Sequence, residues 1–278
     1  MKKRTVTLLL TVVFASSLLL AIDLRRSLDG LRKVSETVRP ISEEEEYFIG
    51  RAVAARILAQ FPLLKSGSLT DYVNLVGDSL VIHSQRPEIY NGYHFAVLDS
   101  DEINAFAAPG GIILLTRGLV QAAASEDQLA AVIAHEICHV VAKDPLKAIK
   151  SERMKSLGAF TARELSRSSP QVMQVFNDTV LDVSGTLLQK GYSRKQEKQA
   201  DLDAVELLDQ SGYSPTALLA MLQTLTGREL AKAKIYSAHP PATDRCQYVA
   251  KEVKGIPAAP GTEERTARFT AIRRANGI

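Results

Sequence analysis

Ser125-Glu126-Asp127-Gln128-Leu129-Ala130-Ala131-Val132-Ile133-Ala134-His135-Glu136-Ile137-Cys138-His139-Val140-Val141-Ala142-Lys143-Asp144-Pro145 is the stretch from which the rest of the chain is read. A hydroxyl residue with an amide three places on is a capping box, so Ser125 and Gln128 predict a helix start. The helix should run from Leu129 to about Lys143, where Asp144-Pro145 stops it. Each helical residue turns about 100°, so residues four apart differ by only about 40° in azimuth. His135 and His139 therefore point the same way, one turn apart, and can grip one zinc ion. Glu136 lies about 60° from His139 and can reach a water on that ion without being a ligand. The bland alternative is two core histidines beside a buried glutamate. It fits badly, because Val132, Ile133, Val140 and Val141 make the helix apolar. An unpaired charge there would cost on the order of several kcal/mol.

Around this helix the chain has ordinary globular composition. Of its 278 residues 46% are hydrophobic, 23% charged and 6% aromatic. Those values exclude a disordered, collagen-like or polytopic membrane protein. Two cysteines exclude a disulfide-built scaffold. With 34 basic against 31 acidic residues the net charge is +3, too balanced for a nucleic-acid partner.

The amino terminus reads as an address. Lys2, Lys3 and Arg4 precede an uncharged run from Thr5 to Ile22, closed by Asp23, Arg25 and Arg26. At about 1.5 Å per residue the run would span roughly 27 Å as a helix, enough for a thin bilayer. It predicts export, with residues 1–22 as a cleaved signal or a retained inner-membrane anchor. Residues 23–41 follow as a linker, and the body is a single domain over 42–253.

Within the body, Glu43 to Glu46 open an amphipathic helix through Ile49, Val53 and Ile57. The glutamates are expected to be solvated and matched to the helix dipole. Leu69 to Ile82 repeats the helical period. Tyr93 to Leu98, Asn104 to Phe106 and Ile112 to Leu115 are short strand candidates around the turn Pro109-Gly110-Gly111. From Thr116 onward the pattern is helical. Strands confined to one stretch between helices predict a mostly helical α+β fold, with a small sheet beside the H-E-x-x-H helix. The tail 254–278 holds prolines, glycine and charges after Gly255, and its first part is expected to be loosely ordered.

The third metal ligand must come from elsewhere. Ser193 opens another helix that ends at Gly212, and on it Glu197 and Asp201 are four apart on one face. Glu197 can complete a metal site, and Asp201 can accept a hydrogen bond from a metal-bound histidine. Spacing alone equally allows an exposed charged face paired with Lys198 or Arg194.

His135-Glu136-x-x-His139 followed by Glu197-x-x-x-Asp201 resembles the gluzincin metallopeptidases of the HtpX and Oma type, metallopeptidase family forty-eight. Asn104-Ala105-Phe106-Ala107-Ala108-Pro109-Gly110-Gly111 is similar to that family's strand segment upstream of the zinc helix. His239-Pro240-Pro241 with Asp244-Arg245 is similar to its downstream His-Pro segment. The resemblance spans roughly residues 93–250. It implies a zincin-like domain with one zinc on His135, His139 and Glu197, Glu136 as general base, and Asp201 supporting a histidine. It also implies work at the transition state for His239 and Arg245. His239 has a second possible role, blocking the metal in a latent enzyme. Asn104, Ala105 and Phe106 would offer a strand edge to an extended peptide. The many membrane spans of some branches are not found in this sequence, which suggests a compact exported member. Its expected substrates are unfolded or misfolded proteins of the periplasm or cell envelope. The rival reading is a chaperone-like peptide-binding protein with little or latent proteolysis. If the His239 segment folds over the zinc helix, Cys138 and Cys246 could form a disulfide; otherwise they are separate buried thiols. His83 and His94 read as ordinary surface or packing residues.

Overall fold

The computed structural model describes residues 40–149, 170–230, 239–257 and 259–278. The apolar run 5–22 and the linker as far as residue 39 lie outside the described residues. Among those described, no helix is long and apolar enough to cross a membrane.

Helix α1 (Glu43–Leu58) starts at Ser42, whose hydroxyl accepts the Glu45 N–H while the Glu45 carboxylate accepts the Ser42 N–H, at 3.2 and 2.8 Å. Its apolar stripe, Ile49, Val53 and Ile57, is fully buried. The glutamates depart from expectation. Glu43 is exposed, but Glu45 and Glu46 are buried. Glu46 accepts the Gly110 N–H at 3.3 Å and pairs with Lys143 at 3.1 Å and Arg86 at 3.5 Å. Partners that distant in sequence leave no trace in a local charge pattern.

The sheet has three strands: β1 (His94–Leu98), β2 (Ala105–Ala108) and β3 (Ile112–Thr116). Their order is β1-β3-β2, with β1 parallel and β2 antiparallel to β3. The strand candidates are thus found within a residue or two of their expected bounds. A 3-10 turn, Pro109–Gly111, joins β2 to β3 with Gly110 at φ 69°. That turn lies directly on α1. A Cβ at Gly110 would sit 2.6 Å from the Tyr47 Cα, and one at Gly50 would sit 1.8 Å from the Pro109 carbonyl oxygen. Both contacts require glycine. Among the described residues β2 pairs only with β3, so no strand lies along its other edge, although all four β2 residues are buried.

Helix α2 (Gly67–Val81) packs on β1, and the short α3 (Arg117–Ala122) follows β3. Helix α4 (Glu126–Val141) carries the quoted stretch and runs through the centre of the core. Leu129, Ile133 and Ile137 are fully buried along it. Lys143 turns left-handed at φ 55°, and α5 (Asp144–Lys147) folds back beneath the end of α4. The remaining helices are α6 (Pro170–Gly185), which continues through a π turn to Lys190, α7 (Arg194–Gln210), α8 (Thr216–Leu230), α9 (Ala242–Glu252) and α10 (Thr262–Ala275). Helices α7, α8, α10 and α2 surround α4.

Beyond an irregular start, the tail forms helix α10, which packs on the body. Phe269 is fully buried and stacks on Tyr72. Arg268 binds Glu126, which also accepts from Tyr72 and Tyr213; Arg265 binds Asp127 at 2.8 Å. Glu126 and Asp127 open α4, yet both are buried. A buried carboxylate needs a cation, and the tail supplies two. Phe269→Ala is therefore expected to cost about 3–5 kcal/mol in urea unfolding. A dispensable tail would cost under about 1 kcal/mol.

Candidate metal centre

Two helices deliver the atoms that could hold a metal ion. Helix α4 contributes His135 and His139, and α7 contributes Glu197, all of them buried. The two Nε2 atoms are 3.2 Å apart, and they lie 3.6 and 3.7 Å from the Glu197 carboxylate oxygens. Donors about 2.0–2.1 Å from one tetrahedral cation stand roughly 3.3 Å from one another, so these separations fit a single shared ion. Helix α7 is in place because Ser193 and Gln196 form a capping box ahead of it, and because Ala200, Ala204 and Leu208 bury its other side chains.

The protons give a second test of fit. His135 Nδ1 lies 2.9 Å from an Asp201 oxygen, and His139 Nδ1 lies 2.9 Å from an Asp144 oxygen. A carboxylate only accepts, so each histidine must donate from Nδ1 and keep a lone pair on Nε2. Burial, and then the nearby Arg245 charge, push the His135 pKa down, which keeps the ring neutral. Two lone pairs then face each other at 3.2 Å with a carboxylate beside them. That arrangement repels itself unless a cation sits between. Glu197 Oε2 is buried without a hydrogen-bond partner among the described residues, as a metal ligand would be. Burial pushes the Glu197 carboxyl up, but His239, His135 and Arg245 outweigh burial and hold it at about 2.

The supporting shell is partly as expected. Asp201 reaches His135, and it is gripped in turn by both arms of Arg245, at 2.6 and 2.9 Å, and by the Tyr248 hydroxyl at 2.6 Å. Burial raises its pKa, but Arg245 and His135 prevail and hold it well below the usual carboxylate range. Arg245, expected at the transition state, thus has its guanidinium engaged by Asp201. Asp144, read only as a helix stop, is the matching acceptor for His139; Lys147 at 2.8 Å and Gln196 at 3.0 Å hold it. The need for two acceptors, one per histidine, was the signal that could have found it. Tyr192, also unforeseen, lays its ring against His139 at 4.2 Å.

Glu136 is buried next to this cluster and faces His239, whose Nε2 is 3.8 Å from its carboxylate. His239 Nδ1 lies 2.8 Å from Glu197. Its donor atom joins those of His135, His139 and Glu197 in one group, all within 4.8 Å of one another. Burial lowers the His239 pKa, but Glu197 and then Glu136 more than reverse this and raise it.

The strand residues line a crevice over Glu136. Asn104 and Ala105 border it on one side of Glu136, and Ala105, Phe106 and Ala107 on the other. The Phe106 side chain points away into the core against Phe61, so only its backbone is offered. Cys138 and Cys246 are free, the former buried, so the disulfide is not formed.

Residues 68–253 match the profile of peptidase family M48. The chain is 30% identical to the beta-barrel assembly-enhancing protease of Escherichia coli (strain K12) over 206 residues, which covers 72% of this chain and 40% of that protein. It is 27% identical to metalloprotease LoiP of the same organism over 183 residues, 65% of this chain and 68% of that one. It is 28% identical to a protease HtpX homolog of Fusobacterium nucleatum over 177 residues, 58% and 57% of the two chains. The chain thus matches about two fifths of the length of the assembly-enhancing protease.

Asp144→Asn should weaken metal affinity about 10–100-fold, measured by competition with a chelator. Unchanged affinity would mean that the His139 contact does not orient a ligand.

Proposed function

The chain belongs to peptidase family M48 and is a metallopeptidase, and from that premise we propose a zinc endopeptidase in which Glu136 moves the protons. The observation that carries this reading is the set of converging ligand atoms beside a separate buried carboxylate. Two imidazoles and one carboxylate suit zinc, and three protein ligands leave a position for chemistry. When bound, zinc would polarise the scissile carbonyl and make a water nucleophilic near neutral pH.

The side chains supply the rest. Glu136 takes the proton of the attacking water on its carboxylate and returns it to the leaving amine nitrogen. Asp144 and Asp201 hold the ligand histidines in one tautomer and one orientation. Arg245 and Tyr248 fix Asp201, which makes Arg245 a positioning residue in this scheme. In this reading the unpaired edge of β2, which borders the crevice over Glu136, pairs with an extended peptide through backbone bonds and orients the carbonyl with little demand on sequence.

His239 is the hinge between two readings. Its contact with Glu197 supports a resting state in which the imidazole closes the crevice. That contact also favours the rival reading, a peptide-binding protein with latent proteolysis. Once displaced by substrate, His239 would lie close enough to the carbonyl to donate to its developing charge.

The substrates we propose are misfolded or damaged cell-envelope proteins. The apolar run 5–22 supports export or anchoring at the inner membrane. One relative is named for β-barrel assembly, which points the same way.

Glu136→Gln should keep bound zinc and lose about 10²–10⁴-fold in casein cleavage. Equal loss of metal and activity would instead make Glu136 a structural residue. His239→Ala should raise the resting rate on a short peptide if the imidazole closes the crevice. A fall of about 100-fold would assign it to the transition state alone.

A further inference from the structure

Glu46 lies in the first turn of α1, yet it is almost fully buried. Its two carboxylate oxygens face different elements. Oε1 accepts the N–H of Gly110 at 3.3 Å, two residues past the end of β2. Oε2 faces Lys143 Nζ at 3.1 Å and Arg86 Nη2 at 3.5 Å. Both cations stand at the carboxyl end of α4, where positive charge suits the helix dipole. Lys143 is the left-handed residue just beyond that end, and Arg86 Nη1 donates to the Val140 carbonyl at 3.2 Å. Val140 follows His139 directly; Asp144, the acceptor for His139 Nδ1, follows Lys143. One side chain, from a helix that carries no ligand, thus joins the turn leaving the crevice strand to the helix end that aims His139.

We propose that Glu46 is a positioning residue: it holds the β2 edge in register with His139 and so places a bound peptide relative to the metal. The part that concerns the peptide rests on the proteolytic reading. The part that concerns the metal rests on the ligand cluster alone. Glu46 touches neither peptide nor metal in this scheme. It acts through Gly110 on one side, and through Lys143 and Asp144 on the other.

Stability alone does not call for a buried acid here. Desolvating a carboxylate and its cations offsets most of their attraction, and a packed apolar side chain of similar volume would hold α1 as well. What an apolar side chain lacks is direction, since a charged hydrogen bond fixes its partners in distance and angle. The turn is also intolerant of drift. A Cβ at Gly110 would meet the Tyr47 backbone, and one at Gly50 the Pro109 carbonyl, so α1 and the turn touch backbone to backbone. They therefore move together, and Glu46 carries their position across to the end of α4. The gain is in alignment: a misplacement of about 1 Å at a reacting centre can cost about 100-fold in rate.

The test uses the full chain. Zinc affinity is read by competition with a chelator, and peptide affinity by fluorescence anisotropy in a Glu136→Gln background at saturating zinc. Glu46→Gln keeps an acceptor for the Gly110 N–H and drops the charge; Glu46→Met drops both. Both should weaken zinc binding about threefold to tenfold, short of the 10–100-fold expected for a direct partner of a ligand. Only Glu46→Met should also weaken peptide binding, and in the active enzyme it should raise KM by a similar factor. In an Asp144→Asn background Glu46→Gln should cost less than about twofold in zinc affinity, because its route runs through Asp144. Lys143→Met, at a half-buried position, should reproduce the zinc loss of Glu46→Gln, and it answers the question if the Glu46 variants do not fold. These effects in a chain whose wild type cleaves nothing would sink the proteolytic reading and keep the positioning role. Folded variants with a lowered urea midpoint but wild-type affinity for zinc and peptide would overturn it and leave Glu46 a brace for α1. Independent zinc losses from Glu46→Gln and Asp144→Asn would overturn it as well.

Discussion

Two unprotonated imidazole nitrogens held 3.2 Å apart beside a carboxylate are a repulsive arrangement, and the surrounding structure exists to enforce it. Each histidine is denied its alternative tautomer by an acid at its back, Asp201 for His135 and Asp144 for His139. Each acid is held in turn: Asp201 by Arg245 and Tyr248 from α9, Asp144 by Lys147 and Gln196. Four helices and a left-handed turn at Lys143 must therefore be in register before the donors converge. Such a network is a weak source of net stability, because desolvating its charges consumes most of what their attraction returns. In the proposed reading its use is orientation, since the His/Glu cluster could hold a metal ion at its centre.

Buried acids serve a second role at the periphery. Glu46 joins α1 to the glycine turn and to the end of α4, and Glu126 with Asp127 fastens α10 to the start of α4. In each case an acid at a helix amino terminus is buried and paired with cations distant in sequence. The helix that carries the ligands is thereby gripped at both ends, by Lys143 and Asp144 at one and by the tail at the other. That rigidity suits a site whose ligands must stay within fractions of an ångström of their places.

Much of this was legible in the chain. The period of α4, its hydroxyl cap and the four-residue interval between His135 and His139 are local properties, and local rules read them. Glu197 and Asp201 were legible as a pair on one face, but not as buried partners of the two histidines, since an exposed charged face has the same spacing. What local rules could not see was pairing across the chain. Asp144 looks like a helix stop until His139 is known to need an acceptor. Glu46 and Glu126 look like solvated helix starts until Lys143 and Arg268 arrive from elsewhere. The tail looks loose because its prolines and glycines precede α10, while the burial of Phe269 depends on a surface made by α2 and α4. The resemblance implies transition-state work for Arg245, and its bidentate grip on Asp201 is a further contact that no local rule reveals.

The most direct measurement of the central claim is X-ray absorption at the zinc edge on the purified full chain. The account predicts one zinc per chain, with only nitrogen and oxygen neighbours at about 2.0–2.1 Å and multiple-scattering features of two or three imidazoles. A sulfur neighbour at about 2.3 Å, a shell of water alone, or no stoichiometric zinc would contradict it.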